Sequence, residues 1–309
     1  MLLLLDVILP VFLIIGAGYA AVWRGWFKDD WVEGLMRFTQ GYAIPCMTFR
    51  AVAQMNLSND FEPAMLASFY IGAVCGFLAA LLGARFLFKR PWTDSVAIGF
   101  VGLFSNSVLL GLPISERAWG PEAVASNFTI IAFHAAFCYG IGLTAMEVAR
   151  NAGGGLRAAA PRILKAMFRN PLILAMLLGV TVNLTGLGLP KAGWDAIDML
   201  SRAALPAALF GLGGTLYRYR PEGDIPTILY VTAVSLILHP AITYGLARLL
   251  EVSDEGLRSA VITSAMAPGI NAYMFAAMYG VAKRVAASTV LIGTALTVLT
   301  AWGWLHILP

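Results

Sequence analysis

The chain has 309 residues, 59% of them hydrophobic and only 12% charged, with a formal net charge of +4 and a mean hydropathy of +0.77. Soluble domains carry roughly 25% charged residues, so this composition excludes a water-soluble fold and predicts a polytopic, all-α membrane protein. The basic residues lie between apolar stretches rather than in one patch, which argues against a nucleic-acid partner.

A window of about 20 residues, the length that crosses the hydrocarbon core, marks ten spans, at residues 2–23, 34–54, 64–85, 95–117, 121–148, 170–189, 195–217, 225–248, 257–281 and 285–306. The leading Met1-Leu2-Leu3-Leu4-Leu5 has no basic segment before it and no small-residue cleavage site after it, so it reads as part of the first span and not as a signal peptide. Span 2 holds Ala43-Ile44-Pro45 in a charge-free run between Arg37 and Arg50. Span 4 contains Ser105-Asn106-Ser107-Val108-Leu109-Leu110-Gly111-Leu112-Pro113. A polar cluster followed by Gly-x-Pro is poor helix chemistry, and inside a bilayer such a break survives only where protein or water satisfies the backbone. His134 falls in the middle of span 5.

The stretch 150–169, with Gly153-Gly154-Gly155 and five basic residues, reads as a flexible cytoplasmic linker between a first half, 1–149, and a second half, 170–309. Span 7 repeats the span 2 pattern, with Ala204-Leu205-Pro206 between Arg202 and Arg218. Pro45 and Pro206 are read as breaks in scaffold helices. Asp198 and Arg202, spaced i,i+4, are expected to pair. His239, just before Pro240 in span 8, is assigned a structural role. Span 9 carries a second interruption, Pro268-Gly269-Ile270-Asn271. Cys46, Cys75 and Cys138 lie in apolar spans without metal-ligand spacing and read as small buried hydrophobes.

Fourteen of the 21 Lys and Arg residues fall in the odd-numbered loops. The positive-inside rule then makes those loops cytoplasmic and, with ten spans, puts both termini outside. The eight Trp residues lie at or near span ends, as an interfacial belt requires. Five spans per half invert the second half relative to the first, and paired interrupted segments in corresponding halves point to a transporter's binding site.

Enzyme motifs are absent, no Asp or Glu lies near the middle of a span, and no cofactor or metal is implied. The polar groups at depth are few. Asn106 and Asn271 can pack helices together or bind a ligand, since an amide both donates and accepts. Ser105, Gly111, Pro113, Pro268 and Gly269 are candidate substrate-site residues, the last four through the backbone of the breaks, which either present the partially positive ends of restarted half-helices to an anion or are kinks that tune packing. His134 is a packing residue, a substrate contact or a proton-coupling group.

Ser105-Asn106-Ser107-Val108-Leu109-Leu110-Gly111-Leu112-Pro113-Ile114 resembles the span 4 motif of the auxin efflux carrier family, which includes plant PIN-type carriers and bacterial permeases. Ala267-Pro268-Gly269-Ile270-Asn271-Ala272-Tyr273 is similar to its span 9, Ile44-Pro45 with Thr48-Phe49 to its span 2, and Leu209-Phe210-Gly211-Leu212-Gly213 to its span 7. The resemblance implies two inverted five-helix repeats with crossing broken helices 4 and 9, as in sodium/proton antiporters and bile-acid transporters. It implies a scaffold of helices 1, 2, 6 and 7, a transport part of helices 3–5 and 8–10, carboxylate-bearing substrates, and a homodimer through the scaffold. Asn106 matches the family's substrate-contacting Asn, and His134 falls where plant members carry a glutamine. Ala272 stands where plant carriers have the crossover proline, with Pro268 four residues earlier, and the short 150–169 stretch replaces a long cytoplasmic loop. The expectation is a secondary transporter of a small organic anion, working by an elevator mechanism in a bacterial inner membrane. A sensor, a channel and a Na⁺-coupled symporter of the same fold stay open as alternatives.

Overall fold

A computed structural model of the chain describes residues 2–54, 62–120, 123–150, 161, 171–219 and 224–309. Among these residues the secondary structure is helical, with one isolated antiparallel bridge between Ser105 and Pro268 and no strand. The predicted linker 150–169 lies outside the described residues apart from Arg150 and Pro161.

The helices in chain order are α1 (Leu2–Trp23), α2 (Asp29–Phe38), α3 (Ile44–Gln54), α4 (Pro63–Leu82), α5 (Trp92–Leu103), α6 (Leu112–Trp119), α7 (Val124–Ala149), α8 (Pro171–Thr185), α9 (Lys191–Tyr217), α10 (Ile225–Ala233), α11 (His239–Leu249), α12 (Asp254–Ser264), α13 (Ile270–Tyr279) and α14 (Lys283–Ile307). Among the described residues, six helical stretches are long and apolar enough to cross a membrane: Asp6–Trp23, Pro63–Leu87, Val124–Ala149, Lys191–Tyr217, Ile225–Leu249 and Lys283–Ile307. Their outward sides expose Leu13, Ile71, Phe133, Leu229 and Leu299, which in water would be a severe liability and in lipid is the requirement. The chain is an integral membrane protein. Arg24 lies over the exposed rings of Trp23 and Trp26, Lys28 over Trp31 and Arg85 over Trp92, at 5.0–5.9 Å. An aromatic ring with a cation beside it suits the headgroup layer.

Three proline-containing helices use the same device. Five-residue π-helical turns at Thr39–Ala43, Ser107–Gly111 and Val234–Leu238 each lead into a residue followed by proline: Ile44-Pro45, Leu112-Pro113 and His239-Pro240. In each, the residue before the proline donates five positions back, Ile44 to Thr39, Leu112 to Ser107 and His239 to Val234. The proline ring collides with the carbonyl four residues earlier and offers it no N–H. Widening the preceding turn moves that carbonyl aside. For Pro240, the orphan is the Leu236 carbonyl, and Trp304 Nε1 of α14 donates to it at 3.1 Å. Two expectations are corrected here. Pro45 follows a bulge in a continuous helix and breaks nothing, and α9 runs through Pro206 without interruption. One missing backbone bond is too small a loss to end a helix that has no water to turn to.

The chain divides into two compact units, each drawing on both halves of the sequence. The smaller comprises Pro10–Phe61 and Leu164–Arg218, and the larger comprises Met1–Leu9, Glu62–Ile163 and Tyr219–Pro309. In the smaller unit α1 and α9 meet backbone to backbone: a Cβ on Gly18 would strike the Phe210 carbonyl, and one on Gly213 the Ile15 carbonyl. Such close approach replaces the hydrophobic driving force that lipid does not supply. Asn183 of α8 donates to the Val52 and Ala53 carbonyls of α3, both at 3.1 Å. Asp198 accepts from Arg202, as the i,i+4 spacing predicts, and also from Arg50. In the larger unit Phe100 and Phe275 stack at 4.0 Å, and α4 and α5 pack through Gly76 and Gly102, where a Cβ on either would come within 2.9 Å of the other's carbonyl oxygen.

Candidate functional site

The two interruptions lie together inside the larger unit. Helix α5 ends at Leu103, and α12 ends at Ser264. The stretch around Ser105 is extended and pairs antiparallel with the stretch around Pro268: Asn106 N–H donates to the Ala267 carbonyl at 2.8 Å, and Gly269 N–H to the Phe104 carbonyl at 2.9 Å. Each break thus supplies the backbone partners that the other lost, which is how both persist away from water. Ser105 and Pro268 face each other as the pair that exchanges no backbone hydrogen bonds. The missing N–H of Pro268 therefore costs nothing at that position.

The break in the fourth span sits upstream of where Gly-x-Pro placed it. The helix is interrupted at Phe104–Asn106, the chain turns at Asn106, where Ser107 N–H donates to the Ser105 carbonyl at 2.9 Å, and helical geometry has resumed by Ser107, so Gly111 and Pro113 lie in the restarted half-helix. A Cβ on Gly111 would find its nearest neighbours at 3.7 Å, so close packing does not demand glycine there. In the ninth span the extended segment runs up to Gly269, and Asn271 is already in the first turn of α13, exposed, while Pro268 and Gly269 are buried. Asn106 and Asn271 sit in different surroundings, one buried and one exposed.

Asn106 caps the restarted helix. Its Oδ1 accepts from Leu109 N–H at 3.2 Å, and its carbonyl accepts from the N–H groups of Leu110 and Gly111 at 3.1 Å. The oxygen is committed to the cap. The Nδ2 group is buried and has no hydrogen-bond partner, and neither has the adjacent Ser105 Oγ. Asn106 as a whole is 6% exposed. The site therefore offers unpaired donors held in place by a helix terminus. Across the breaks, no side chain caps α13, so its first N–H groups add to the positive end.

His134 of α7 stands behind the break. Its Nε2 lies 3.2 Å from the Ser105 carbonyl, which can only accept, so the proton sits on Nε2. Its Nδ1 faces Cys138 Sγ at 3.7 Å, and Phe104 packs edge-on to the ring at 4.7 Å. The imidazole holds Ser105 from below and presents no free nitrogen.

One buried polar centre went unread in the sequence. Asn127 of α7 is 0% exposed. Its Nδ2 donates to Ser115 Oγ at 3.2 Å and to Thr263 Oγ1 at 2.7 Å, and its Oδ1 accepts from Ser259 Oγ at 3.1 Å. It ties α7 to α6 and α12, the helices that flank the two breaks. Its signal was the coincidence of Ser115, Asn127, Ser259 and Thr263 near the ends of three different spans. Only a known packing order would turn that into a contact.

Two broken helices that satisfy each other's backbone in a buried, polar, uncharged setting are the arrangement in which membrane transport proteins build binding sites. The chain belongs to the family described as membrane transport protein, the auxin efflux carrier family, whose profile matches residues 3–154 and 155–305. It is 26% identical to a Rhizobium meliloti (strain 1021) protein named "Putative malonate transporter", over 98% of this chain and 95% of that one. It is 22% identical to the "Uncharacterized transporter YfdV" of Escherichia coli (strain K12), over 97% and 96%. It is also 22% identical to the "Probable auxin efflux carrier component 5a" of Oryza sativa subsp. japonica, over 92% and 91%.

Proposed function

We propose that this protein is a secondary active transporter of a small carboxylate anion, and that Asn106 is the central substrate contact. The observation that carries the reading is the Asn106 carboxamide, whose oxygen is taken by Leu109 N–H while its buried Nδ2 has no partner. A donor left unpaired at depth suits a carboxylate oxygen, and a helix terminus adds favourable potential without the desolvation cost of a lysine or arginine. Ser105 Oγ is the second donor. Gly111, Pro113, Pro268 and Gly269 shape the two backbone ends, Asn271 flanks them, and His134 positions Ser105. The relative named for malonate, a dicarboxylate, supports this substrate class.

The mechanism is elevator-like, with the larger unit as the transport part and the smaller as the scaffold through which two copies pair. The smaller unit's composition, α1 from Pro10, α2, α3, α8 and α9, supports this division, because it gathers spans 1, 2, 6 and 7 from both halves of the chain. Ten spans in two inverted five-helix repeats, with both termini outside a bacterial inner membrane and 150–169 cytoplasmic, fit the excess of Lys and Arg in the odd loops.

The test is malonate exchange in proteoliposomes. A hydrogen bond to a charged group is worth about 1.5–3 kcal/mol, so Asn106→Ala is expected to weaken the half-saturating concentration about 10- to 100-fold. Wild-type affinity in that variant, for every carboxylate the protein carries, sinks the assignment. Flux that rises without saturation would instead identify a channel.

A further inference from the structure

The larger unit holds a second buried histidine that the anion site does not use. His239 opens α11 and is 0% exposed. Neither of its ring nitrogens makes a hydrogen bond, and Thr243 Oγ1, one turn along the same helix, is equally buried and unpaired. A structural histidine would be tied to a partner. These three atoms share one helix face, and each carries the penalty of a buried polar group left alone. The opposing wall is Gly72 of α4, where a Cβ would collide with Thr243 Oγ1 and come within 3.2 Å of His239 Cδ2. Only glycine lets α4 close over the pair.

The surroundings of His239 are almost free of charge. From α4 come Phe69, with its ring 5.4 Å away and its backbone carbonyl facing the imidazole without completing a hydrogen bond, and Gly76. His134 of α7 stands on another side of the same Phe69 ring, at 5.6 Å, with Cys138 and Tyr70 beside it. Helix α12 packs along α11 with its titratable residues Asp254, Glu255 and Arg258 in its first turns and none from Ser259 to Ser264. Helix α14, against the π turn before His239, carries Lys283, Arg284 and His306 at its ends.

We propose that His239, backed by Thr243, is the proton-binding residue that couples anion movement to the proton gradient. The proposal rests on the organic-anion reading above. An anion bound at the breaks brings a negative charge into a unit whose described membrane-depth residues include no lysine or arginine to offset it. A proton taken from water onto a free lone pair of His239 supplies that charge within the same unit, and the protonated ring donates to Thr243 Oγ. In a low-dielectric interior each ligand strengthens the binding of the other. On the release side the anion leaves and the proton returns to water, so one proton travels with each anion. His134 is less suited, because both of its nitrogens already face partners.

Malonate counterflow and gradient-driven accumulation in proteoliposomes separate the possibilities. One coupled proton supplies about tenfold accumulation per pH unit. Wild-type protein should therefore accumulate malonate severalfold more with an acidic exterior than without a gradient. H239Q should lose that gain and, at saturating malonate, keep maximal counterflow within about threefold of wild type, because exchange needs no net proton movement, while the lost coupling weakens its malonate affinity. A gradient response kept by H239Q, or missing from a wild-type protein that exchanges malonate, overturns the proposal. If H239Q does not fold, proton uptake by the wild-type protein decides: malonate added in weak buffer near pH 7 should draw about one proton per anion bound, and none overturns the coupling. A wild-type protein that neither binds nor exchanges malonate refutes the malonate reading itself, a result distinct from failure of the coupling alone, and the proposal falls with it.

Discussion

Asn106 and Asn127 show how the same side chain can do opposite things at similar depth. Asn127 has its amide donors and its oxygen engaged by Ser115, Thr263 and Ser259. It is a packing residue in the sense that membrane asparagines usually are. Asn106 has only its oxygen engaged. Replacing Asn127 by Leu should leave three hydroxyls on two helices without their partner and lower stability by about 1–3 kcal/mol. The fall would be read as a lower melting temperature in detergent, with the malonate affinity of the folded fraction unchanged. A thermal midpoint equal to wild type would show that the network contributes nothing. At Gly213 the prediction is steric. Ala there drives its Cβ into the Ile15 carbonyl, and backbone cannot yield as a flexible side chain can. Gly213→Ala should therefore lower the melting temperature by more than Gly111→Ala, whose Cβ meets only ordinary contacts at 3.7 Å.

At the scale of elements, proline directs the helices without ending them. The π turns before Pro45, Pro113 and Pro240 displace the carbonyl that the ring would strike. Trp304 completes the arrangement at Pro240 by donating to Leu236. Removing the indole N–H with Trp304→Phe should cost about 1 kcal/mol. In a Pro240→Ala background the cost should shrink, because the restored N–H of residue 240 can serve the Leu236 carbonyl itself. A double-mutant cycle on melting temperature with no coupling between the two sites would refute this account. The same logic explains why the interruptions were visible in the sequence while their positions were not. Gly-x-Pro and Pro-Gly announce poor helix chemistry, but Gly111 and Pro113 are absorbed into a widened turn. The non-helical residues are Phe104–Asn106, fixed by pairing with Ala267–Gly269 from a segment about 160 residues away.

At the scale of the molecule, interhelical polar bonds at the rims hold the larger unit together. Glu62 accepts from Ser253 N–H and Oγ at 2.9 and 2.8 Å. Arg117 donates to the Asp6 and Val7 carbonyls. Arg90 pairs with Asp224 at 3.0 Å. Asp224 also caps α10, and the Thr227 hydroxyl, with Arg90 after it, holds its carboxyl below the ordinary carboxylate range. A depressed folded value means the contribution is complete above the unfolded value, about 4, and is lost as the pH falls through the lower folded one. The melting-temperature gap between wild type and Asp224→Asn should therefore be open at neutral pH and close under acid. A gap that persists at the lowest pH the fold tolerates would mean that charge is not its source. The pair is partly exposed, so added salt should narrow the gap as well.

Composition alone determined that this chain lives in a membrane, because 12% charged residues cannot cover a soluble surface. Local chemistry determined that spans 4 and 9 are interrupted and that Asp198 pairs with Arg202, since proline, glycine and i,i+4 spacing act within a few residues. Tertiary structure decided the rest. It set Asn106 Nδ2 free by committing its oxygen to a helix start, gave His134 two partners and left His239 with none, and assembled Asn127 with hydroxyls from two other helices. The hydrogen-bond state of a buried polar group depends on which distant helix faces it, and in lipid, where water cannot stand in, that state separates a packing residue from a functional one.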